Sequence, residues 1–99
     1  MVVGVLRLVV YIPENHSLKG KRGVLRKIKA QVSNNFNVSI SETDDQDLWQ
    51  RARLTAALTG GSLPALDAAA DNVERWLMAR WPEHVHVEKL LTSVEDLYA

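Results

Sequence analysis

The chain has 99 residues, 46% of them hydrophobic, and its twelve basic and twelve acidic residues give a formal net charge of zero. This length corresponds to one domain, and it is sufficient for a hydrophobic core without covalent or metal cross-links. Because the chain contains no cysteine, disulfides, thiolate metal ligands and thiol nucleophiles are excluded.

Residues 1–12 are mostly apolar, but they do not have the pattern of a targeting segment or a membrane span. Arg7 interrupts the run, Pro13 ends it, and no basic leader precedes it. The run is also too short to cross a bilayer. We therefore predict a buried strand here, and a cytoplasmic protein that has no membrane partner.

Six segments with the periodicity of strands and helices follow along the chain. Residues 2–12 are apolar on both parities, which is typical of a central strand. Ser17 and Ser62 are predicted N-caps of the two helices. The predicted order is a strand over 2–12, a helix over 18–34, strands over 36–42 and 49–59, a helix after Ser62, and a strand over 84–91.

The order β, α, β, β, α, β predicts an α+β fold, a ferredoxin-like sandwich with a four-stranded antiparallel sheet and two helices on one face. Right-handed crossovers place the first and third strands side by side in the centre. We expect one domain over residues 1–91 and a C-terminal tail over 92–99 that docks through Leu97 and Tyr98. The second face of the sheet is expected to be open.

Three short strings carry a resemblance to a known family, namely HSLKGKR at 16–22, FNVS at 36–39 and DLWQ at 47–50, together with Pro13 and Glu42. They resemble the YlxP-like family of small bacterial proteins, a domain of unknown function. The resemblance implies a ferredoxin-like fold and a bacterial cytoplasmic protein. It also implies that the gene lies near those of ribosome maturation and translation factors, and it implies no established activity.

The first predicted helix concentrates positive charge. Residues 1–30 hold seven of the twelve basic residues and only one acidic residue, Glu14. Four cations lie within an arc of roughly 80° on one side of the helix; this basic stripe consists of Lys19, Arg22, Arg26 and Lys29. Cations near a helix N-terminus are unfavourable unless an anion binds there. Lys21 falls in the core-facing arc and is predicted to extend its ammonium toward solvent or a ligand.

Two interpretations of the stripe remain open. In the first, the stripe, Lys21 and an arginine pair on the third strand, Arg51 and Arg53, bind phosphates. In the second, the cations are an ordinary solvated face that pairs with acidic residues of the second helix, namely Asp67, Asp71 and Glu74. Such surface pairs contribute only about 0–1 kcal/mol each.

The open sheet face also allows two interpretations. Parity places Val5, Arg7, Val9 and Tyr11 of the first strand there, beside Trp49, Arg51, Arg53 and Thr55 of the third. Arginines among aromatic residues are typical of an RNA platform. Alternatively, Val5, Val9, Tyr11 and Trp49 form an apolar interface that a second copy or the C-terminal tail covers.

Catalytic and metal chemistry have weak support in the sequence. The pair His84 and His86 has no fixed third ligand, so we expect no metal site. Glu14 and His16 are residue types that serve in acid–base catalysis, but the sequence supplies no nucleophile beside them. The sequence has no phosphate loop, dinucleotide fingerprint or nucleophile elbow. We therefore predict no cofactor and no enzymatic activity.

The sequence thus predicts a non-catalytic accessory protein that binds structured RNA, with ribosomal RNA or the ribosome as partner, through its basic first helix. The alternative is a homodimeric protein–protein interaction module that uses the open sheet face.

Overall fold

The computed structural model describes residues 1–14 and 16–93, and these contain the six predicted elements in the predicted order. The elements are β1 (Val2–Tyr11), α1 (Leu18–Asn35), β2 (Ser39–Asp44), β3 (Arg51–Gly60), α2 (Leu63–Arg80) and β4 (Val85–Ser93). The sheet has the strand order β2-β3-β1-β4, and all neighbouring pairs are antiparallel. The ferredoxin-like α+β fold is confirmed.

Strand β1 is central because it pairs along its length on both edges. Its register with β3 runs from Val2 opposite Gly60 to Tyr11 opposite Arg51, and with β4 from Val2 opposite Ser93 to Val10 opposite Val85. Successive side chains alternate between the two faces. The even-numbered residues Leu6, Leu8 and Val10 are fully buried beneath the helices. The odd-numbered residues therefore form the open face.

Both helices begin at the predicted serine caps and bury one face against the sheet. The Ser17 hydroxyl accepts a hydrogen bond from Gly20 N at 3.0 Å, and the Ser62 hydroxyl accepts one from Ala65 N at 3.3 Å. The core residues of α1 are Leu25, Ile28 and Val32, and those of α2 are Leu66, Ala70, Val73 and Leu77. Helix α1 lies over the β2 side of the sheet, and α2 lies over β4 and β1.

Several strand boundaries differ from the predicted ones by one to three residues. Strand β2 begins at Ser39, because Phe36 caps α1 through its N–H to Val32 O and Val38 N then bonds to Phe36 O. Trp49 precedes β3 instead of lying in it. Strand β4 continues to Ser93, so the sheet includes Thr92 and Ser93, which were assigned to the tail. Leu97 and Tyr98 lie outside the described residues.

Gly23, in the interior of α1, is a position where substitution should change the stability of the helix. A Cβ added there would meet nothing within 4 Å. We expect Gly23→Ala to stabilise the protein by up to about 1 kcal/mol, because glycine is a poor helix former. Thermal unfolding should show a melting temperature several degrees higher, about 4–8 °C per kcal/mol for a domain of this size.

The matched control is Gly4→Ala in β1. Its Cβ would lie 2.7 Å from Leu91 Cδ2 and 3.4 Å from Leu66 Cδ2, so neighbouring side chains would have to move. We expect a lower melting temperature for this variant. A Gly23→Ala protein that melts below the wild type would show that this position is not an unstrained helical one.

Within the described residues, no helix is both long and apolar enough to span a bilayer.

Candidate anion-binding face of the first helix

The basic stripe lies on the flank of α1 that faces away from α2. Gln31, on roughly the opposite flank, accepts a hydrogen bond from Arg80 Nε of α2 at 2.7 Å. Lys19, Arg22 and Arg26 are exposed, whereas Lys29 is half-buried. Within residues 1–14 and 16–93, no ion pair or side-chain hydrogen bond engages any of the four. The stripe is therefore a row of available cations.

The stripe works against the stability of its own helix. Helix α1 contains no acidic residue, so Lys19–Arg22, Arg22–Arg26 and Arg26–Lys29 are like-charge neighbours at helical spacing. Each such pair is destabilising by about 0.2–0.5 kcal/mol. Lys19 also lies in the first turn, where the helix dipole disfavours a cation. Positive charge that costs stability is typical of a surface that binds an anion.

Lys21 is directed inward, not toward an external ligand. Its side chain is 2% exposed, and its Nζ donates a hydrogen bond to the backbone oxygen of Asp45 at 2.5 Å. The same Nζ lies 3.3 Å from Glu42 Oε2, whose side chain is 24% exposed. Because Asp45 follows β2, this contact joins the first turn of α1 to the β2–β3 connection. The Lys21 ammonium has a structural role here.

Asp45 holds the two arginines of β3 as well. Its carboxylate Oδ2 lies 2.9 Å from Arg51 Nε and 3.0 Å from Arg53 Nε, and Asp44 Oδ2 is 3.8 Å from Arg53 Nη1. Asp45 is the one non-glycine residue with positive φ, 60°, in the described part of the chain. This left-handed conformation suits aspartate in a turn. Arg51 and Arg53 already have carboxylate partners, which leaves the stripe as the remaining predicted anion site.

The second interpretation of the stripe, in which its cations pair with acidic residues of α2, is not what the described residues show. Asp67 and Asp71 of α2 instead flank Lys89 of β4, whose Nζ donates to their carboxylates at 2.5 Å and 2.6 Å. The hydrogen bond to Asp67, and then the one to Asp71, raise the pKa of Lys89 above its ordinary value. Lys89 is not among the predicted site residues, although its parity with Val85 and Val87 places it on the helix-covered face of the sheet.

The open face carries the predicted residues of β1. Val5, Arg7, Val9 and Tyr11 lie on it, and the Tyr11 ring packs edge-to-face on His86 with 5.5 Å between centroids. A shallow depression of about 290 Å³ lies beside Arg7 and His86. Leu90, which the sequence analysis overlooked, is 66% exposed on the same face. Trp49 is exposed in the turn before β3.

The histidine and carboxylate candidates do not converge on a site. Glu14 lies 3.6 Å from Nε2 of His84, at a position before β4, and not beside His16. His86 lies apart on the open face with Tyr11. Over residues 1–14 and 16–93, the His, Asp and Glu side chains form no group of three that could hold a metal ion.

Comparison with known proteins gives a family and a fold. Residues 3–90 match the family described as "Protein of unknown function (DUF503)". The uncharacterized protein YlxP of Bacillus subtilis (strain 168) is 34% identical over 94 residues, which cover 95% of this chain and 98% of that protein. The de novo designed protein Foldit4 is similar in structure, with a TM-score of 0.58 and 16% identity over 93% of this chain and 96% of that chain. The likeness to Foldit4 concerns the fold alone.

Proposed function

The chain belongs to the DUF503 family of proteins of unknown function, as its resemblance to the YlxP-like proteins indicated, and we propose that it is a non-catalytic accessory protein that binds structured RNA. The observation that carries this proposal is the basic stripe, four cations without a partner in the described chain, on a helix that has no acidic residue. Ribosomal RNA is the first candidate, because the resemblance implies a gene neighbourhood of ribosome maturation and translation factors.

The length of the stripe suits a nucleic-acid backbone. From Lys19 to Lys29 the helix advances about 15 Å. Along a nucleic-acid strand the charges recur every few ångströms, so the four cations can meet several phosphates. Such contacts fix the position of the protein without reading bases, because the phosphate backbone is the same at every nucleotide.

The alternative polyanion, a membrane surface, fits α1 less well. An interfacial helix needs an exposed apolar face that inserts among the lipids. The apolar residues of α1, Leu25, Ile28 and Val32, are buried against the sheet. The exposed part of α1 therefore offers charge without an apolar anchor, which favours RNA.

Salt dependence provides the direct test of the proposal. If the stripe neutralises about three or four phosphates, the logarithm of the binding constant should fall with the logarithm of salt concentration with a slope of about −3. Affinity for a ribosomal RNA fragment, measured by fluorescence anisotropy, should fall about sixtyfold between 50 and 200 mM salt. The matched control is Arg75→Glu in α2, an exposed arginine whose guanidinium bonds to Asn72; it should keep the wild-type slope.

Absence of binding at 50 mM salt, for both the fragment and intact ribosomal subunits, would refute this proposal. If Arg75→Glu reduced the slope as much as a substitution in the stripe does, the RNA contact would lie elsewhere on the protein.

A second candidate function is self-association through the open face, for which Leu90 is the specific observation. Leu90 lies opposite Val5, and Val5 lies opposite Ala57, so one row of apolar side chains crosses β4, β1 and β3. We define Val5, Ala57 and Leu90 as the apolar patch. The exposed Leu90 at one end of this row is the contact that self-association would bury.

A further inference from the structure

The open face near the apolar patch has an unusual arrangement of charge. Arg7 and Glu88 are direct cross-strand partners in the β1–β4 register, and both are exposed. No ion pair within 4.0 Å joins them or engages either residue elsewhere in the described chain. The charges of Arg7 and Glu88 are therefore both available to a binding partner.

The register makes β1 and β4 self-complementary. Along these two strands the cross-strand pairs on the open face include Val5 with Leu90, Arg7 with Glu88, and Val9 with His86. A two-fold axis that runs parallel to the strands, between β1 and β4, exchanges the members of each pair. Each Val5 then faces the partner's Leu90, and each Arg7 faces the partner's Glu88. Packed sheets lie about 10 Å apart, a separation that these side chains can fill.

Other axes produce poorer contacts. An axis between β3 and β1 would place Arg7 opposite the partner's Thr55 and Leu90 opposite the partner's Ser39, so the charge and the apolar side chain would each face a neutral polar one. An axis at right angles to the strands through Arg7 would stack Arg7 on the partner's Arg7 and Glu88 on the partner's Glu88. Like charges in direct opposition are destabilising, so this axis is less favourable than the one between β1 and β4.

We propose that a second copy of this chain covers the β1–β4 half of the open face about a two-fold axis between these strands, with Arg7 of each copy paired to Glu88 of the other. This inference rests on the second candidate function and specifies which residues of the two copies face each other. A closed two-fold contact of this kind uses one surface twice and forms a dimer without further growth.

The dimer would present its two basic stripes outward. Both helices lie on the sheet face opposite the contact, so the α1 helices of the two copies point away from each other. A face-to-face dimer therefore keeps every stripe accessible to RNA. Dimerisation and phosphate binding use different faces and are separable by substitution.

A charge exchange tests the proposed register. Arg7→Glu and Glu88→Arg should each weaken the dimer about tenfold or more, because two pairs of like charges would then face each other. The double variant Arg7→Glu/Glu88→Arg recreates both pairs with reversed sense, and its dimer dissociation constant should return close to that of the wild type. Sedimentation equilibrium measures these constants, and Arg75→Glu is the control that should leave them unchanged.

Leu90→Glu tests the apolar patch independently of the charges. It should yield a monomer with an unchanged circular dichroism spectrum, since Leu90 is exposed. A wild type that is monomeric at millimolar concentration, or a Leu90→Glu protein that remains dimeric, would overturn the dimer. If Leu90→Glu is monomeric but the double charge variant does not recover, the proposed axis is wrong. RNA binding by monomeric Leu90→Glu should persist, so a failure of the RNA proposal would be recognised separately.

Discussion

Simultaneous charge reversal at Lys19, Arg22 and Arg26 should abolish RNA binding while leaving the fold intact. Each reversal removes one phosphate contact and adds a repulsion, so the loss should exceed about a hundredfold at low salt. The three side chains are exposed and have no partner in the described residues, so the core loses no contact. Binding to ribosomal subunits, followed by co-sedimentation, provides the measurement.

The single change Lys19→Glu should raise the stability of the protein while it lowers the affinity for RNA. It replaces a first-turn cation by an anion that the helix dipole favours, and it turns the repulsion with Arg22 into an attraction. Together these effects should stabilise the protein by about 1 kcal/mol. Urea unfolding of Lys19→Glu should therefore show a higher midpoint, although RNA affinity falls. A variant that loses both affinity and stability would mean that the stripe contributes to the fold itself.

Lys21→Ala should be the most destabilising of the substitutions considered, with a loss of about 3–5 kcal/mol. The change leaves the Asp45 carbonyl without its donor and Glu42 without the cation that compensates it, and it also removes a buried aliphatic stem. A domain of this size has a total stability of only about 5–15 kcal/mol. Urea unfolding at neutral pH measures the effect, and Lys27→Ala, an exposed cation of the same helix, should change stability by less than about 0.5 kcal/mol.

Lys21→Met distinguishes the polar part of this effect from packing. Methionine fills most of the same volume, so its cost should be about 1–3 kcal/mol, from the unsatisfied polar groups alone. Adding Glu42→Gln to Lys21→Met removes the uncompensated charge and should recover part of that loss. If Lys21→Met were as stable as the wild type, the contacts of Lys21 with Asp45 and Glu42 would contribute nothing to stability.

Much of the fold was accessible from sequence because its signals are local. The apolar run on both parities of residues 2–12 indicated a strand with two neighbours, and Ser17 and Ser62 marked both helix starts. The boundary at Ser39 was not accessible, since Phe36 and Val38 alternate like a strand. The backbone hydrogen bond from Phe36 N to Val32 O, which closes the last turn of α1, prevails over that alternation.

The site was predicted less completely because charge partners depend on tertiary contacts. The stripe follows from helical spacing alone. The ion pairs of Asp45 with Arg51 and Arg53 depend on a turn with positive φ. Several aspartates lie close together in that turn, and the sequence alone does not indicate which cations they pair with. Lys89 could have been placed by the alternation of β4, which assigns it to the same face as Val85.

Asp45 has a consequence for how the molecule moves. Its carbonyl oxygen binds the helix layer through Lys21, while its carboxylate binds arginines whose side chains belong to the opposite side of the sheet. Asp45 thus connects the helix layer and the open face of the sheet to the same turn. Local opening of that turn should release the beginning of α1 and the end of the open face together, so amide exchange in the two regions should proceed as one cooperative unit.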